Sequence, residues 1–582
     1  MKLQMKLQMK LQMKLQMKLQ MKLQMKLQNV VKNLNKTSRI ITQDKSQGAS
    51  QAMFYALGLN ENDLKKGQVA IGSNWYESNP CNNHLNILSK LVKKSINSKS
   101  NLIGFQFNTI GISDGQTNGH NGMNHSLPSR ELIADSYESF VKAHLYDANI
   151  SIPGCDKNLP GCLMAMISIN KPSFMIYGGS IKPGNLNNKN IDIVDAFQSY
   201  GTYLKDNDEE KRKATIKNAC PGSGSCGGMY TANTMATAIE TMGMMMPYSS
   251  SNPALSQEKI NECINAGNTI ENLMINNICV SDIITKESIE NAITMMISLG
   301  GSTNGVLHLL AIAKTSNINL NYKDFEKITE KTKVIANLKP LGEYLMYDLY
   351  KIGGLPLILK ILQEQQLIND NCLTITGKTI KDNIKHIKYN EENIKHIIDL
   401  KNSKNSHIKI LYGNISPNGC VAKISGNEGT YFKGEALVFE SENDFINSLN
   451  KLNITKNEKK VIVIRNQGPK GGPGMPEMLK PSSSLIGMGL KDNVALITDG
   501  RFSGGSHGFI VGHISPESYN NGPISYIKNG DIIEINAEKG YINVENLEDQ
   551  LLKPTIVPNI DSNYLKKYVK LVSSSEYGCV TN

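Results

Sequence analysis

Three cysteines that lie far apart in the chain place the strongest constraint on how it can fold. Cys81, Cys155 and Cys226 each stand in a short segment rich in glycine, proline or asparagine. Thiolates suit iron–sulfur clusters, whereas carboxylates suit magnesium or manganese. Because Cys155 is followed at once by Asp156 and Lys157, this tripeptide could bridge two different metals across one substrate. A fold that uses these residues together has to bring remote segments to one place.

Length and composition describe an ordinary globular protein of more than one domain. A chain of 582 residues exceeds what one hydrophobic core usually holds, so two domains are expected. Its ten cysteines have irregular spacing without tandem CxxC pairs, which favours a reducing compartment and metal-binding or buried thiols. No apolar run reaches the roughly 18 residues of a membrane span, so no membrane association is expected.

The basic charge of the chain comes mostly from its first residues. Residues 1–28 are seven copies of Met-Lys-Leu-Gln, and the remainder carries 56 basic and 52 acidic residues. Only five of the basic residues are arginines, the residue type that best reads bases and clamps phosphates. Nucleic-acid binding is therefore not expected.

The repeat itself predicts an unstructured low-complexity extension. It lacks the apolar core of a signal peptide and the Arg- and Ser-rich composition of a typical transit peptide, although its lysines leave a targeting role open. The Lys- and Asn-rich text of the whole chain favours a bacterial cytoplasm.

The pattern of apolar residues predicts an α/β fold in two parts. Helical patterns at 130–146, 229–244 and 302–313 alternate with strand-like runs at 102–107 and 173–177, which is typical of a largely parallel sheet. Functional residues then belong in loops beyond the strand ends. After residue 390 short strands separated by Gly, Asn and Pro predict a β-rich, barrel-like domain. The expected division is 1–37, 38–390 and 391–582.

Several blocks, taken in order, resemble one enzyme family from about Ser38 to the C-terminus. They are the three cysteine segments and residues 109–115, 126–131, 300–304, 468–477 and 498–504. Together they are similar to the dihydroxy-acid and sugar-acid dehydratase superfamily. The resemblance implies the same two-part fold, an active site in the cleft between the parts, and a homodimer.

The resemblance implies that Cys81, Cys155 and Cys226 hold an iron–sulfur cluster. Three thiolates leave one iron site open, which allows Lewis-acid chemistry on a hydroxyl group. Cys220 is a weaker candidate, because Cys226 stands before a predicted helix whose N-terminal N–H groups would stabilise an anionic cluster. The resemblance favours a [2Fe–2S] cluster, with [4Fe–4S] as the alternative.

A second set of residues matches the family's divalent-metal site and its base. The resemblance implies that Asp114, Asp156 and Glu477 bind magnesium, with manganese as the alternative, and that Lys157 binds the same metal as its carbamate. It also makes Ser503 the general base, acting as an alkoxide. An unperturbed serine is far too weak a base at neutral pH, so this role requires positive charge and backbone donors nearby.

The implied reaction is loss of water from a 2,3-dihydroxy acid. The segments around Cys226 and after Arg501 look most like the branched-chain enzymes. We therefore expect 2,3-dihydroxy-3-methylbutanoate and 2,3-dihydroxy-3-methylpentanoate as substrates, in the synthesis of valine, leucine and isoleucine. A sugar-acid dehydratase of the same superfamily is the alternative. A nucleotide-dependent oxidoreductase is a remote one, because residues 222–227 match G-x-G-x-x-G without the required preceding strand.

Overall fold

The computed structural model describes most of the chain beyond the repeat. The described residues are 14, 17, 18, 34–424, 428–452, 454–455, 458–506, 508–545, 547 and 560–582. The prediction that residues 1–37 are unstructured falls almost wholly outside them. Among the described residues, no helix has both the length and the apolar character needed to cross a bilayer.

A four-stranded parallel sheet forms the centre of the N-terminal part. Its strands, in the spatial order β2-β1-β3-β4, are β1 Gly67–Ser73, β2 Leu102–Asn108, β3 Ala148–Ile152 and β4 Ser173–Met175. All three pairings are parallel, so the carboxyl ends of the strands share one edge. A short antiparallel pair, β5 Gly184–Leu186 and β6 Lys189–Ile191, follows.

Helices surround this sheet, and further helices follow its last strand in the sequence as far as Ile394. In chain order they are α1 Arg39–Gln43, α2 Gly48–Ala56, α3 Leu85–Asn97, α4 Asp114–Thr117, α5 Ser126–Ala143, α6 Asn158–Ile169, α7 Ile193–Asp206, α8 Glu209–Asn218, α9 Thr231–Thr241, α10 Gln257–Asn276, α11 Val280–Ile283, α12 Lys286–Ser298, α13 Asn304–Thr315, α14 Tyr322–Lys331, α15 Met346–Lys351, α16 Gly354–Glu364, α17 Ile380–Ile384 and α18 Glu391–Ile394. The predicted helix at 229–244 therefore begins only at Thr231.

An eight-stranded mixed sheet forms the C-terminal part. Its strands are β7 Ile408–Leu411, β8 Gly419–Lys423, β9 Tyr431–Phe439, β10 Lys460–Ile464, β12 Val494–Thr498, β14 Phe509–Ser515, β15 Ile532–Asn536 and β16 Tyr541–Val544, in the order β16-β15-β9-β10-β12-β14-β8-β7. A bridge between Tyr412 and Tyr541 brings the two edges together. The sheet is thus nearly closed, and the predicted α/β part followed by a barrel-like part is confirmed.

Smaller elements complete the C-terminal part. They are α19 Glu442–Ser448, α20 Lys480–Gly487 and α21 Asn563–Leu571, together with a two-stranded parallel ladder of β11 Glu477–Met478 and β13 Arg501–Phe502.

The two parts are tied together by buried contacts. The Arg130 guanidinium on α5 donates to the carbonyl oxygens of Gly578 and Cys579, both at 2.8 Å. Arg130 has no exposed surface, so this connection is desolvated and stronger than a surface contact. The last residues of the chain therefore pack on the N-terminal helices, although they follow the barrel in sequence.

Candidate active site

Three of the predicted site segments leave neighbouring strands at the same sheet edge. Cys81 follows β1, Asp114 follows β2 at the start of α4, and Cys155 follows β3 just before α6. Parallel strands present their carboxyl ends together, which is where open α/β sheets bind ligands. The structure therefore places these residues where the sequence pattern predicts a site.

Backbone contacts hold the three cysteine loops against each other. The Gly224 N–H donates to the Pro80 carbonyl at 2.9 Å, and the Ser225 hydroxyl donates to the Gly154 carbonyl. A Cβ atom at Gly154 would collide with the Cys81 carbonyl oxygen, so only glycine permits this approach. The loops that carry Cys81, Cys155 and Cys226 are thus locked into one unit.

The three predicted ligand thiols meet in this unit. The Cys81 thiol contacts those of Cys155 and Cys226, and hydrogen bonding with both, together with burial, raises its pKa well above the usual value. Cys226 lies in a loop five residues before the first residue of α9, Thr231. Its carbonyl accepts a hydrogen bond from Asn233 Nδ2 at 2.6 Å. Cys220 lines the same cavity but is more exposed.

Three carboxylates converge beside the thiols. Oxygen atoms of Asp114, Asp156 and Glu477 all lie within 4.8 Å of one another. The Lys157 amine is fully buried among them. It donates to Asp114 and, at 2.8 Å, to Glu477 Oε2, and it lies 3.8 Å from Asp156 Oδ2. The Ser126 hydroxyl donates to the second Asp114 oxygen at 2.7 Å. The predicted metal-site residues therefore form one cluster, in which the three carboxylates surround the Lys157 ammonium group.

Burial and neighbouring charges set the protonation of these carboxyl groups. Burial and the Asp114 charge raise the pKa of Asp156 to about 8. Burial acts in the same direction on Glu477, but Lys157 and Arg501 outweigh it and bring the pKa of Glu477 to about 2. Glu477 is therefore ionised at neutral pH, and added positive charge would favour the ionised form of Asp156 as well.

The β11–β13 ladder carries Glu477 and the predicted base into the cavity. Glu477 pairs with Arg501 in this ladder, and Ser503 follows β13 directly. The Ser503 N–H donates to the Met478 carbonyl at 3.0 Å, and the Gly505 N–H donates to Ser503 Oγ at 3.3 Å. The serine oxygen thus has a backbone donor that would stabilise negative charge on it.

One cavity of about 280 Å³ unites the two halves of the site. Its lining includes all three predicted thiol ligands, the three carboxylates and the serine, namely Cys81, Cys155, Cys226, Asp114, Asp156, Glu477 and Ser503. Lys157 lies behind this lining. An apolar wall completes the cavity with Ile181, Ile193, Val194, Phe197 and Leu479.

Sequence reasoning missed several supporting residues. Arg501 stands in a segment that pointed only to Ser503, yet its Nη1 lies 3.3 Å from Glu477 Oε2 and 3.1 Å from Asn304 Oδ1. The lysine Lys423 contacts the Ser503 turn from another strand. Nothing in the local sequence of either residue indicates these long-range contacts.

The donor set fits both of the groups that the sequence predicts. Three thiols, of which that of Cys81 contacts the other two, line the cavity and provide soft ligands that fit an iron–sulfur cluster. Clustered carboxylate oxygens provide hard ligands for a divalent cation, and the Lys157 amine shows that the cluster attracts positive charge. The glycine-rich segment 222–227 follows α8 instead of a strand, so it lacks the context of a dinucleotide-binding loop.

Comparison with known proteins identifies the family of the chain. Two family models match, the dihydroxy-acid/6-phosphogluconate dehydratase N-terminal region at residues 66–383 and its C-terminal region at 394–579. "Dihydroxy-acid dehydratase" of Francisella tularensis subsp. novicida is 52% identical over 94% of this chain and 99% of its own length. "Dihydroxy-acid dehydratase, mitochondrial" of Schizosaccharomyces pombe is 52% identical over 94% and 93%, and its Saccharomyces cerevisiae namesake 51% identical over 94% and 96%. The chain belongs to the dihydroxy-acid/6-phosphogluconate dehydratase family.

Proposed function

We propose that this protein is a hydro-lyase that converts 2,3-dihydroxy-3-methylbutanoate and 2,3-dihydroxy-3-methylpentanoate to their 2-oxo acids. These reactions belong to valine, leucine and isoleucine biosynthesis. Relatives that are named dihydroxy-acid dehydratase and share 52% sequence identity with this chain support this substrate class. The observation that carries the proposal is the meeting of three thiols, three carboxylates and Ser503 in one cavity.

The residues that would hold the two inorganic groups are separate but adjacent. Cys81, Cys155 and Cys226 would bind a [2Fe–2S] cluster, with [4Fe–4S] as the alternative. The carboxylates Asp114, Asp156 and Glu477, with Lys157 as its carbamate, would bind Mg²⁺ or Mn²⁺. When bound, the cluster supplies Lewis acidity toward a leaving hydroxyl, and the divalent cation supplies positive charge for a carboxylate and its neighbouring hydroxyl.

Ser503 acts as the base in this scheme. Its Oγ, as the alkoxide, takes the proton from C2 of the substrate, and the electrons of the broken C–H bond form the C2–C3 double bond as hydroxide leaves C3. The proton then passes from the serine to this hydroxide, which gives water and restores the alkoxide. The enol that results tautomerises to the 2-oxo acid after release. Atoms and electrons balance with water as the only other product, so no nicotinamide is required. The Gly505 N–H stabilises the serine oxygen in its anionic form.

The apolar wall favours a branched alkyl substrate over a sugar acid. Ile193, Val194 and Phe197 come from one helix, α7, and Leu479 faces the same cavity. A methyl or ethyl group gains by burial against such a wall, whereas sugar hydroxyls would lose their water partners there. A sugar-acid dehydratase remains the alternative function, because the family shares one fold and site across substrates.

The proposal includes assembly and location. We propose a homodimer, as the family resemblance implies. The named relatives include bacterial proteins and fungal proteins called mitochondrial. We retain a bacterial cytoplasm as the proposed compartment, and the Met-Lys-Leu-Gln repeat leaves organelle targeting open.

A comparison of two substrates tests the proposed function. Protein purified without oxygen, with Mg²⁺ added, is assayed for 2-oxo acid formation from 2,3-dihydroxy-3-methylbutanoate and, separately, from an aldonate such as gluconate. We expect the branched substrate to have much the higher kcat/KM. A preference for the aldonate in protein with full iron content would replace the proposed substrate with a sugar acid.

A further inference from the structure

Lys423 is a buried lysine whose burial the scheme above does not explain. It is the last residue of β8, and only 2% of its surface is exposed. An ammonium group loses its hydration on burial, and this loss destabilises the fold unless good hydrogen-bond partners compensate for it. A lysine in the wall of the barrel therefore calls for a specific partner.

The partners of Lys423 belong to the turn that carries Ser503. Its Nζ donates to the Gly504 carbonyl at 2.8 Å and to the Ser506 carbonyl at 2.9 Å. The Ser503 carbonyl accepts a hydrogen bond from the Ser506 N–H at 2.9 Å. Lys423 thus fixes the two carbonyls of the turn that lie on either side of Gly505, whose N–H meets the serine oxygen.

Strand pairing explains why the lysine reaches this turn. Lys423 is the register partner of Ile510 in β14, the strand that begins three residues after Ser506. The side chain therefore crosses from one barrel strand to the turn that precedes the next. A contact of this kind ties the turn to the rigid sheet, which limits how far Ser503 can shift relative to the carboxylates.

The contact does not depend on one protonation state. Burial lowers the pKa of Lys423 to about 7, against the opposing effect of Glu428 and Glu477. A neutral amine keeps two N–H donors, so both carbonyls stay satisfied when the proton is lost.

We propose that Lys423 is a positioning residue for the dehydration, which holds the Ser503 turn so that the serine oxygen stays aligned with the substrate C2 proton. This inference rests on the proposed role of Ser503 as the base. A misplacement of about 1 Å at a reacting group costs roughly 100-fold in rate. Loss of Lys423 should accordingly lower kcat and leave substrate binding nearly intact.

Single substitutions provide the first test. Lys423→Met should lower kcat roughly 10- to 100-fold with KM changed less than about three-fold. Lys423→Gln, which retains an amide donor, should recover part of this loss. Lys259→Met is the matched control, because Lys259 is also fully buried and bonded to a carbonyl, that of Ser249, outside the cavity lining. We expect it to lower Tm without lowering kcat. A wild-type kcat in Lys423→Met, or a loss confined to KM, would overturn the proposal.

A double-mutant cycle separates this inference from the proposed base. In the Ser503→Ala background, Lys423→Met should cause no further loss of kcat, because the group that it positions is gone. A full additional loss would mean that Lys423 acts elsewhere and would overturn the inference while the base stands. A wild-type rate in Ser503→Ala alone would instead remove the base, and the inference with it. If Lys423→Met does not fold, Lys423→Gln enters the same cycle, with the same outcomes decisive.

Discussion

Glu477 and Arg501 lie opposite each other in a parallel strand pair, and their side chains also form an ion pair. They pair in the β11–β13 ladder, and Arg501 Nη1 lies 3.3 Å from Glu477 Oε2. Both side chains are almost fully buried, so the arginine charge acts on the carboxylate with little screening by water. Because Ser503 follows Arg501 by two residues, this ladder sets the distance between a predicted metal ligand and the predicted base.

Arg501→Lys should weaken metal binding. Lysine cannot contact Glu477, Asn304 and the Met475 carbonyl at once, as the arginine does. We expect a loss of about 10- to 100-fold in Mn²⁺ affinity, the usual effect of removing a group that orients a ligand. Arg465→Lys is the control, since Arg465 is a buried arginine of the same barrel whose partners are Glu440 and two carbonyls. Equal Mn²⁺ affinities for the two variants would contradict this role.

Cys155→Ser should abolish iron incorporation. Its thiol contacts that of Cys81, and removal of one thiolate of three leaves too few ligands for a stable cluster. Cys162→Ser removes a buried thiol outside the cavity lining, which lies 3.4 Å from Asn74 Oδ1, and Cys220→Ser removes an exposed thiol of that lining. We expect both controls to retain iron and visible absorbance after anaerobic reconstitution. Loss of iron from Cys220→Ser with retention in Cys226→Ser would reverse our choice between those two cysteines.

Lys157 should make divalent-metal binding depend on bicarbonate and on pH. Burial opposes its charge, but Asp114 and Glu477 outweigh that effect and raise the pKa of Lys157. Carbamylation requires the neutral amine, whose fraction grows as the pH rises toward this raised pKa. Mn²⁺ affinity at fixed bicarbonate should therefore increase with pH, beyond the effect of ionising the carboxyl groups.

The control for this prediction is Lys157→Arg, which keeps the positive charge but cannot form the carbamate. Its Mn²⁺ affinity should be low and should not respond to bicarbonate. A wild-type affinity that is the same with and without bicarbonate would rule out the carbamate.

Gly504→Ala should impair catalysis by moving the base. A Cβ atom at Gly504 would lie 2.9 Å from the Thr231 backbone nitrogen and from Tyr230 Cα. Backbone atoms cannot turn away as a flexible side chain can, so the Ser503 turn has to shift. We expect kcat to fall by at least about 10-fold. At Gly222 an added Cβ meets nothing within 4 Å, so Gly222→Ala should keep the wild-type kcat. A normal kcat in Gly504→Ala would show that the turn tolerates displacement.

Local sequence patterns predicted the fold class because each part has its own periodicity. The continuous apolar run Val494–Ile497 indicates a buried strand, and all five residues of the strand Val494–Thr498 are buried. The strand Phe509–Ser515 is harder to predict, because Gly512 and His513 interrupt its apolar run. The helix after Cys226 was predicted to begin too early, because Met229 and Tyr230 are apolar and buried yet precede Thr231 in the loop.

The candidate site was predictable only where its residues are adjacent in sequence or belong to a recognisable motif. Cys155, Asp156 and Lys157 are contiguous, so their joint role was visible from the sequence. The contact of Lys423 with the Ser503 turn spans more than 80 residues and depends on how β8 pairs with β14. Strand register of this kind follows from the closure of the whole barrel, which no local pattern encodes.

The rate of the Ser503→Ala variant tests the central claim most directly. The variant is purified without oxygen, and its iron content and Mn²⁺ affinity are first shown to equal those of the wild type. Turnover of 2,3-dihydroxy-3-methylbutanoate is then measured at saturating substrate. We predict that kcat falls by about 10²- to 10⁴-fold, the usual contribution of a positioned base. Wild-type turnover by Ser503→Ala would contradict the account, because the C2 proton would then leave to another group.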